Sequence, residues 1–256
     1  MKTVFGVFFV IALLAIIIKK LFKPKQIFEQ PNEDIEKNIL QNHVKFYINL
    51  TDQEKKRFEK AVHDFLAQTR ITAIETSIES MDRVFVAAAA VIPIFYLNGW
   101  QYPNISEVLI YPDSFNEQYK TKGEARNVLG MVGTGAMHHE MILSKDALRQ
   151  GFLITNDKFN TGIHEFAHLI DNSDGETNGV LQNFLPEDKM EEWLTVVHQE
   201  INKIKNGDSD IYDYAATNQA EFFAVVSEYF FEQPKIMKDK HPELYNLLSM
   251  IYIPKK

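Results

Sequence analysis

Cysteine is absent from the 256-residue chain, which excludes disulfides, Cys-ligated zinc, iron–sulfur clusters and thiol nucleophiles. Any metal must sit on histidine and carboxylate. Low-complexity tracts and solenoid-period repeats are also missing, and the 45% hydrophobic and 24% charged content is that of an ordinary globular protein. Positive charge is scarce beyond the amino terminus. Residues 1–25 carry five Lys and no acid, which leaves 22 basic against 35 acidic residues, a net of −13 for the remainder. Such a body repels phosphates, and no basic stripe interleaved with aromatics reverses this, so nucleic acid is not an expected partner.

What the amino terminus does have is a long apolar run. From Thr3 to Ile18 there is no charge, and the run continues past Lys19 and Lys20 into Leu21 and Phe22. If the two lysines snorkel, a helix of this length crosses a bilayer. A cleaved signal peptide is the competing reading, but no small-x-small site follows the run. A buried core helix fits poorly, since a helix apolar all round and ended by four lysines offers no solvent face. The expectation is a retained single-pass transmembrane anchor over residues 1–22, a connector over 23–45 and one domain over 46–256. Lys19, Lys20, Lys23 and Lys25 on the carboxyl side orient the body toward the cytoplasm.

Local signals then divide the body. Thr51-Asp52-Gln53-Glu54 is a capping box, followed by Phe58, Val62, Phe65 and Leu66 at helical spacing. Val84 to Ile92 reads as a buried helix that Pro93 perturbs or ends, and Glu107 to Tyr111 as a strand. Gly130 to Gly135 lacks the spacing and lysine of a phosphate-binding loop and suits a hairpin or edge loop, with a second strand at Met137–Leu143. Further helices are expected over 186–204, 218–231 and about 244–253. The fold class is α+β, mostly helical with a small sheet.

His164-Glu165-Phe166-Ala167-His168 falls within an apolar helical pattern. Residues four apart project from one helix face, so both imidazoles reach one ion. Zinc takes neutral nitrogen ligands tetrahedrally, and Glu165, one position round, can act on the metal's water as general base. Ile163, Phe166, Ala167 and Ile170 form a separate apolar stripe, so one side packs while the other opens on a cleft. Asp171, three residues after His168, is placed to accept the second ring N–H of that histidine.

A catalytic zinc usually has three protein ligands, and candidates for the third remain open here. His198 lies thirty residues beyond His168. Glu221 and Glu228, seven apart in Ala220-Glu-Phe-Phe-Ala-Val-Val-Ser-Glu-Tyr-Phe-Phe231, are better placed. Glu221 could instead be the N3 residue of a helix capped by Asn218, and Glu228 a salt-bridged or solvated side chain. Glu221 has the lead.

Gly162-Ile-His-Glu-Phe-Ala-His-Leu-Ile-Asp171, Asn178-Gly-Val180, Tyr212-Asp-Tyr-Ala-Ala-Thr217 and Ala220 to Phe231, taken in order, resemble the Mlc titration factor A family of zinc-dependent peptidases. The likeness runs from about Leu50 to the carboxyl terminus and includes Ile110-Tyr-Pro-Asp-Ser-Phe115. It implies a gluzincin-like fold, with an active-site helix beside a small sheet, and one zinc ion per chain. His164, His168 and Glu221 would be the ligands, Glu165 the general base and Tyr214 the donor to the oxyanion. It also implies aminopeptidase-like action on small peptides and, as a partner, a transcriptional repressor. The chain departs from the family pattern in its hydrophobic anchor and in Gly135-Ala-Met-His-His-Glu140, where a more apolar segment is usual.

Two functions follow. One is a peptidase with zinc-activated water. The other is a membrane-tethered regulatory binder in which zinc is structural. Glu165 discriminates between them, because a structural site has no use for a general base.

Overall fold

The computed structural model describes residues 32–253 apart from 98, 104, 117, 124–125 and 134–138. Helices dominate: α1 (Glu33–His43), α2 (Lys45–Ile48), α3 (Asp52–Gln68), α4 (Ser80–Ile94), α5 (Lys145–Leu153), α6 (Thr161–Asp171), α7 (Glu187–Lys205), α8 (Gln219–Glu232), α9 (Pro234–Lys240) and α10 (Pro242–Tyr252). Among the described residues, four strands complete the α+β fold: β1 (Arg70–Ala73), β2 (Glu107–Tyr111), β3 (Gly130–Val132) and β4 (Glu140–Ser144). The anchor expected over residues 1–22 lies outside the described residues. Among those described, no helix is long and apolar enough to cross a membrane.

The segment read as a connector contributes to the packed body. Asn32 caps α1 by accepting the amides of Asp34 and Ile35, and Ile39, Leu40 and Val44 then enter the main core. The body therefore begins before residue 46, because a short amphipathic helix finds its apolar face covered by α3 and α4. Thr51 and Glu54 form the capping box of α3. In α4, every residue from Val84 to Pro93 is buried. Pro93 cannot donate a helical hydrogen bond, and α4 ends at the next residue.

The sheet order is β1-β2-β4-β3. β1, β2 and β4 run parallel, while β3 pairs antiparallel with β4 at the edge, Met131 opposite Ile142. Gly130 is thus a strand residue of a hairpin rather than its turn. β4 starts at Glu140, and residues 137–138 of the expected strand lie outside the described residues. The sequence reading places neither β1 nor α5, although α5 buries Ala147, Leu148, Gly151 and Phe152 at helical spacing. The first is four residues long, and the second depends on Ser144 capping the amide of Ala147 at 3.2 Å.

α6 sits between two apolar clusters. Ile163, Phe166 and Leu169 enter the cluster built on α1, α3, α4, β2 and β4, while Ala167 and Ile170 enter the one built on α7, α8 and α10. Gly162 lets α6 approach α4, since a Cβ there would stand 2.7 Å from the Cβ of Ala89. The expected stripe is buried on two sides rather than one, and His164, Glu165 and His168 turn toward a cleft beside β3.

Candidate metal centre

Asparagine caps place both halves of the site. Asn160 precedes α6 and accepts the amide of Ile163 at 3.1 Å, and Asn218 precedes α8 and accepts the amide of Glu221 at 2.9 Å. These caps satisfy amides that would otherwise have no partner and fix where each helix begins. Glu221 is thus an N3 residue, as its capping alternative required, but its carboxylate turns to the histidines instead of back to Asn218.

His164 Nε2 and His168 Nε2 are 3.2 Å apart, and Glu221 Oε2 lies 3.1 Å from the first and 3.5 Å from the second. Ligand atoms of these three residues lie within 4.8 Å of one another. On the far side of its ring, His164 Nδ1 is 2.7 Å from Glu228 Oε1. With that nitrogen donating to Glu228, Nε2 presents a lone pair to a carboxylate oxygen and to a second imidazole. Such a cluster needs a positive charge at its centre, either a proton or a cation. Two neutral imidazoles and one carboxylate make the His₂Glu set that suits zinc in a catalytic site.

Charges here are strongly perturbed. Burial works against the Glu221 carboxylate, yet the hydrogen bonds from His164 and His168 hold it well below the usual range. Burial likewise opposes an imidazolium at His164, but Glu228 and Glu221 push it well above an ordinary histidine. Glu165 is 5% exposed, and burial raises its carboxyl despite the two neighbouring histidines. Gly130 makes this burial possible: a Cβ there would stand 2.5 Å from Glu165 Oε1.

Tyr214 lies in a 3₁₀ turn, Asp213–Ala216, with its ring centroid 6.2 Å from that of His164. It is 47% exposed on the cleft wall. Partial burial and the charges of Glu221 and Glu165 raise its phenol, which stays protonated at neutral pH. The cleft itself encloses about 1010 Å³ between β3, the 172–178 loop and the start of α8.

One sequence reading is corrected. Asp171 does not hold His168. Both its oxygens accept the amide of Gly179 at 2.9 Å, while His168 Nδ1 is buried without a partner among the described residues. The closing loop is the reason: Gly179 has φ +73°, a Cβ on it would meet the Gln219 carbonyl at 2.4 Å, and its own carbonyl accepts from Trp193. Asp171 thus ties the cleft wall down. Glu228 takes the salt-bridged place that was its alternative to ligation, at the outer nitrogen of His164. It also accepts the amide of Asn160, locking the entry of α6 to α8. His198 lies 3.1 Å from the Gln219 amide and takes no part in the triad. Residues 135–138 of the departing segment lie outside the described residues.

Sequence reasoning missed Asn160 and Gly130. An Asn just before the motif was a readable cap; nothing local marked Gly130 as the neighbour of Glu165.

Comparison with known proteins adds the family. Residues 19–253 match the model of the glucose-regulated metallo-peptidase family M90. An uncharacterized Synechocystis protein, slr2042, is 28% identical over 90% of this chain and 88% of its own length. Proteins named Mlc titration factor A are 29% identical in Salmonella arizonae and 30% in Salmonella paratyphi B. Each alignment covers 80% of this chain, with 85% and 81% of the relatives.

Proposed function

Because the chain belongs to the glucose-regulated metallo-peptidase family M90, we propose that it is a zinc-dependent peptidase whose ion is held by His164, His168 and Glu221. The observation that supports this best is the convergence of two imidazole Nε2 atoms and one carboxylate oxygen next to the buried Glu165. Zinc, when bound, supplies a Lewis acid that polarises the carbonyl and lowers the pKa of water. Glu165 takes the proton of the attacking water and passes it to the leaving nitrogen, and its raised carboxyl suits both transfers. Tyr214 donates its phenolic proton in a hydrogen bond to the oxygen that turns negative. Glu228 keeps the proton of His164 on Nδ1, which frees Nε2 for the ion.

Metal analysis with a peptide-library digest tests the reading. The wild type should carry about one zinc per chain and cleave, whereas Glu165→Gln should keep the metal and lose turnover. Full zinc occupancy after His164→Ala and His168→Ala together would remove the site, and undiminished turnover in Glu165→Gln would remove the base. The finer reading is aminopeptidase-like cleavage, which predicts that free peptides are cut and N-acetylated ones are not.

The name shared by the Salmonella relatives supports a second role, capture of a transcriptional regulator with zinc purely structural. A buried glutamate beside the triad favours the enzyme. In either role residues 1–22 would anchor the chain in the cytoplasmic membrane with its body in the cytoplasm. Pelleting with membranes, resistance to alkaline extraction and protection from external protease check that placement.

A further inference from the structure

A second cavity lies behind the motif helix. It encloses about 400 Å³ between α3, the end of α4 and the loop that follows, with Phe65, Ile94, Trp100, Tyr102 and Ile105 as its apolar lining. That volume lies within the range of small-molecule sites. Phe65, Trp100 and Tyr102 each remain partly exposed in it, so an occupant would remove aromatic surface from water.

The polar side of the cavity carries one cation whose hydrogen bonds are not spent. Arg57 stacks its guanidinium 4.1 Å from the centre of the Phe95 ring and 5.5 Å from that of Tyr96. Among the described residues no carboxylate pairs with it. Glu54, close enough to feel its charge, is engaged by the hydroxyls of Thr51 and Tyr96 at 2.7 and 3.0 Å. Asp64, which also lines the cavity, is engaged by Lys60 at 2.6 Å, and this ion pair offsets its charge. A stacked guanidinium keeps its planar edge of N–H groups available, and that edge matches a carboxylate. The side-chain amides of Gln68 and Gln101 stand on the same wall.

We propose that this cavity binds a small monocarboxylate with an aromatic or branched apolar body, the body resting among Phe65, Trp100 and Tyr102 and the carboxylate on Arg57. The site also touches the chemistry. Phe166, between His164 and His168 on α6, packs edge-on against Phe65 at 5.8 Å and tilted against Tyr102 at 5.0 Å. Tyr102 is held in turn by its hydroxyl, which donates to the Ala90 carbonyl at 2.8 Å. An occupant therefore bears on the two rings that seat the helix carrying both histidines, and acts as a regulator rather than a substrate. This coupling rests on the zinc reading, whereas the binding does not.

The probe is 3-phenylpropanoate, with 3-phenylpropanol as its uncharged control, titrated into the full chain and followed by calorimetry and tryptophan emission. Of the two tryptophans, Trp100 lines the cavity while Trp193 is fully buried elsewhere. The acid should bind saturably and at least about tenfold tighter than the alcohol, the scale of one charge-assisted contact. Arg57→Gln should erase that preference while lowering the melting temperature by no more than a few degrees, the scale of one lost cation–π contact, and Ala61→Phe should block the cavity to both compounds. Absence of saturable binding, equal affinity for acid and alcohol, or a preference that survives Arg57→Gln would each overturn the site. Zinc affinity, measured by chelator competition with and without the probe, should shift by at least about threefold. An unchanged zinc affinity would overturn the coupling alone, and Glu165→Gln separately decides the peptidase.

Discussion

On the peptidase reading proposed above, replacing Gly130 by alanine should abolish most turnover while leaving the His164, His168 and Glu221 triad able to hold its ion. The added Cβ would stand 2.5 Å from Glu165 Oε1, 2.7 Å from Cγ and 2.8 Å from Cδ. Ordinary contact between such atoms is about 3.5–4 Å, so the side chain or the strand must yield by roughly 1 Å. Glu165 has little room to yield, being 5% exposed on a helix packed on both sides. Overpacking of this kind costs about 1–3 kcal/mol, and the smaller entropy of an unfolded alanine returns about 0.4–1 kcal/mol. The net is a fall of a few degrees in melting temperature. A displacement near 1 Å at a proton-transfer group costs about 10²-fold in rate, so turnover should drop about a hundredfold. Zinc content should be unchanged, because the three atoms nearest the new methyl all belong to Glu165, which is not one of the converging ligands. Steady-state kinetics on a peptide substrate, metal analysis and thermal melting measure all three quantities. The same substitution in a Glu165→Gln background should cost almost nothing further in turnover. Turnover in Gly130→Ala within about threefold of wild type would refute the reasoning, since a clash this close cannot leave a general base in place.

Other outcomes follow from individual contacts. Glu228→Gln offers one acceptor where His164 Nδ1 and the Asn160 amide need two. Zinc affinity, measured by chelator competition, should therefore fall about 10–100-fold. Asp171→Ala leaves the buried Gly179 amide unpartnered and should cost about 1–3 kcal/mol in denaturant melts, with little effect on zinc affinity because Asp171 does not touch His168. Glu232 is 8% exposed, and burial raises its carboxyl to about 7 from 4.5. Its ionisation penalty is absent below about pH 4.5, grows as pH rises and is complete above about 7, on the order of 3 kcal/mol. Glu232→Gln should thus gain stability relative to wild type as pH rises from 5 to 8; a pH-independent difference would refute this. His241, between Glu200 Oε2 at 2.9 Å and Asp210 Oδ1 at 2.7 Å, has a raised pKa against the opposition of burial. Its contribution is present below about pH 6.5 and lost as pH rises through the folded value, so His241→Gln should destabilise more at pH 6 than at pH 9.

Short-range physics was legible in the chain. The spacing of His164 and His168, the capping box at Thr51 and Glu54, the apolar run of α4 and the strand at Glu107–Tyr111 all follow from helix and strand periods, which a window of a few residues reveals. The absence of cysteine restricted any metal to histidine and carboxylate before a fold was known. Choices made across long sequence separations were not legible. Glu221 and Glu228 are alike in sequence, and their separate places, one at Nε2 and the other at Nδ1 of His164, come from where α8 crosses α6, 57 and 64 residues along the chain. Gly130 looked like turn chemistry because nothing local reports that Glu165 packs on it. Asp171 sat at the right spacing for His168, but the return of the chain at Gly179 offered its carboxylate a backbone amide. Residues 33–43 read as a connector because their apolar side chains are few, and only the surfaces of α3 and α4 show what they cover. Helical periodicity states which residues share a face; which face meets which, and in what register, is decided by packing between elements far apart in sequence.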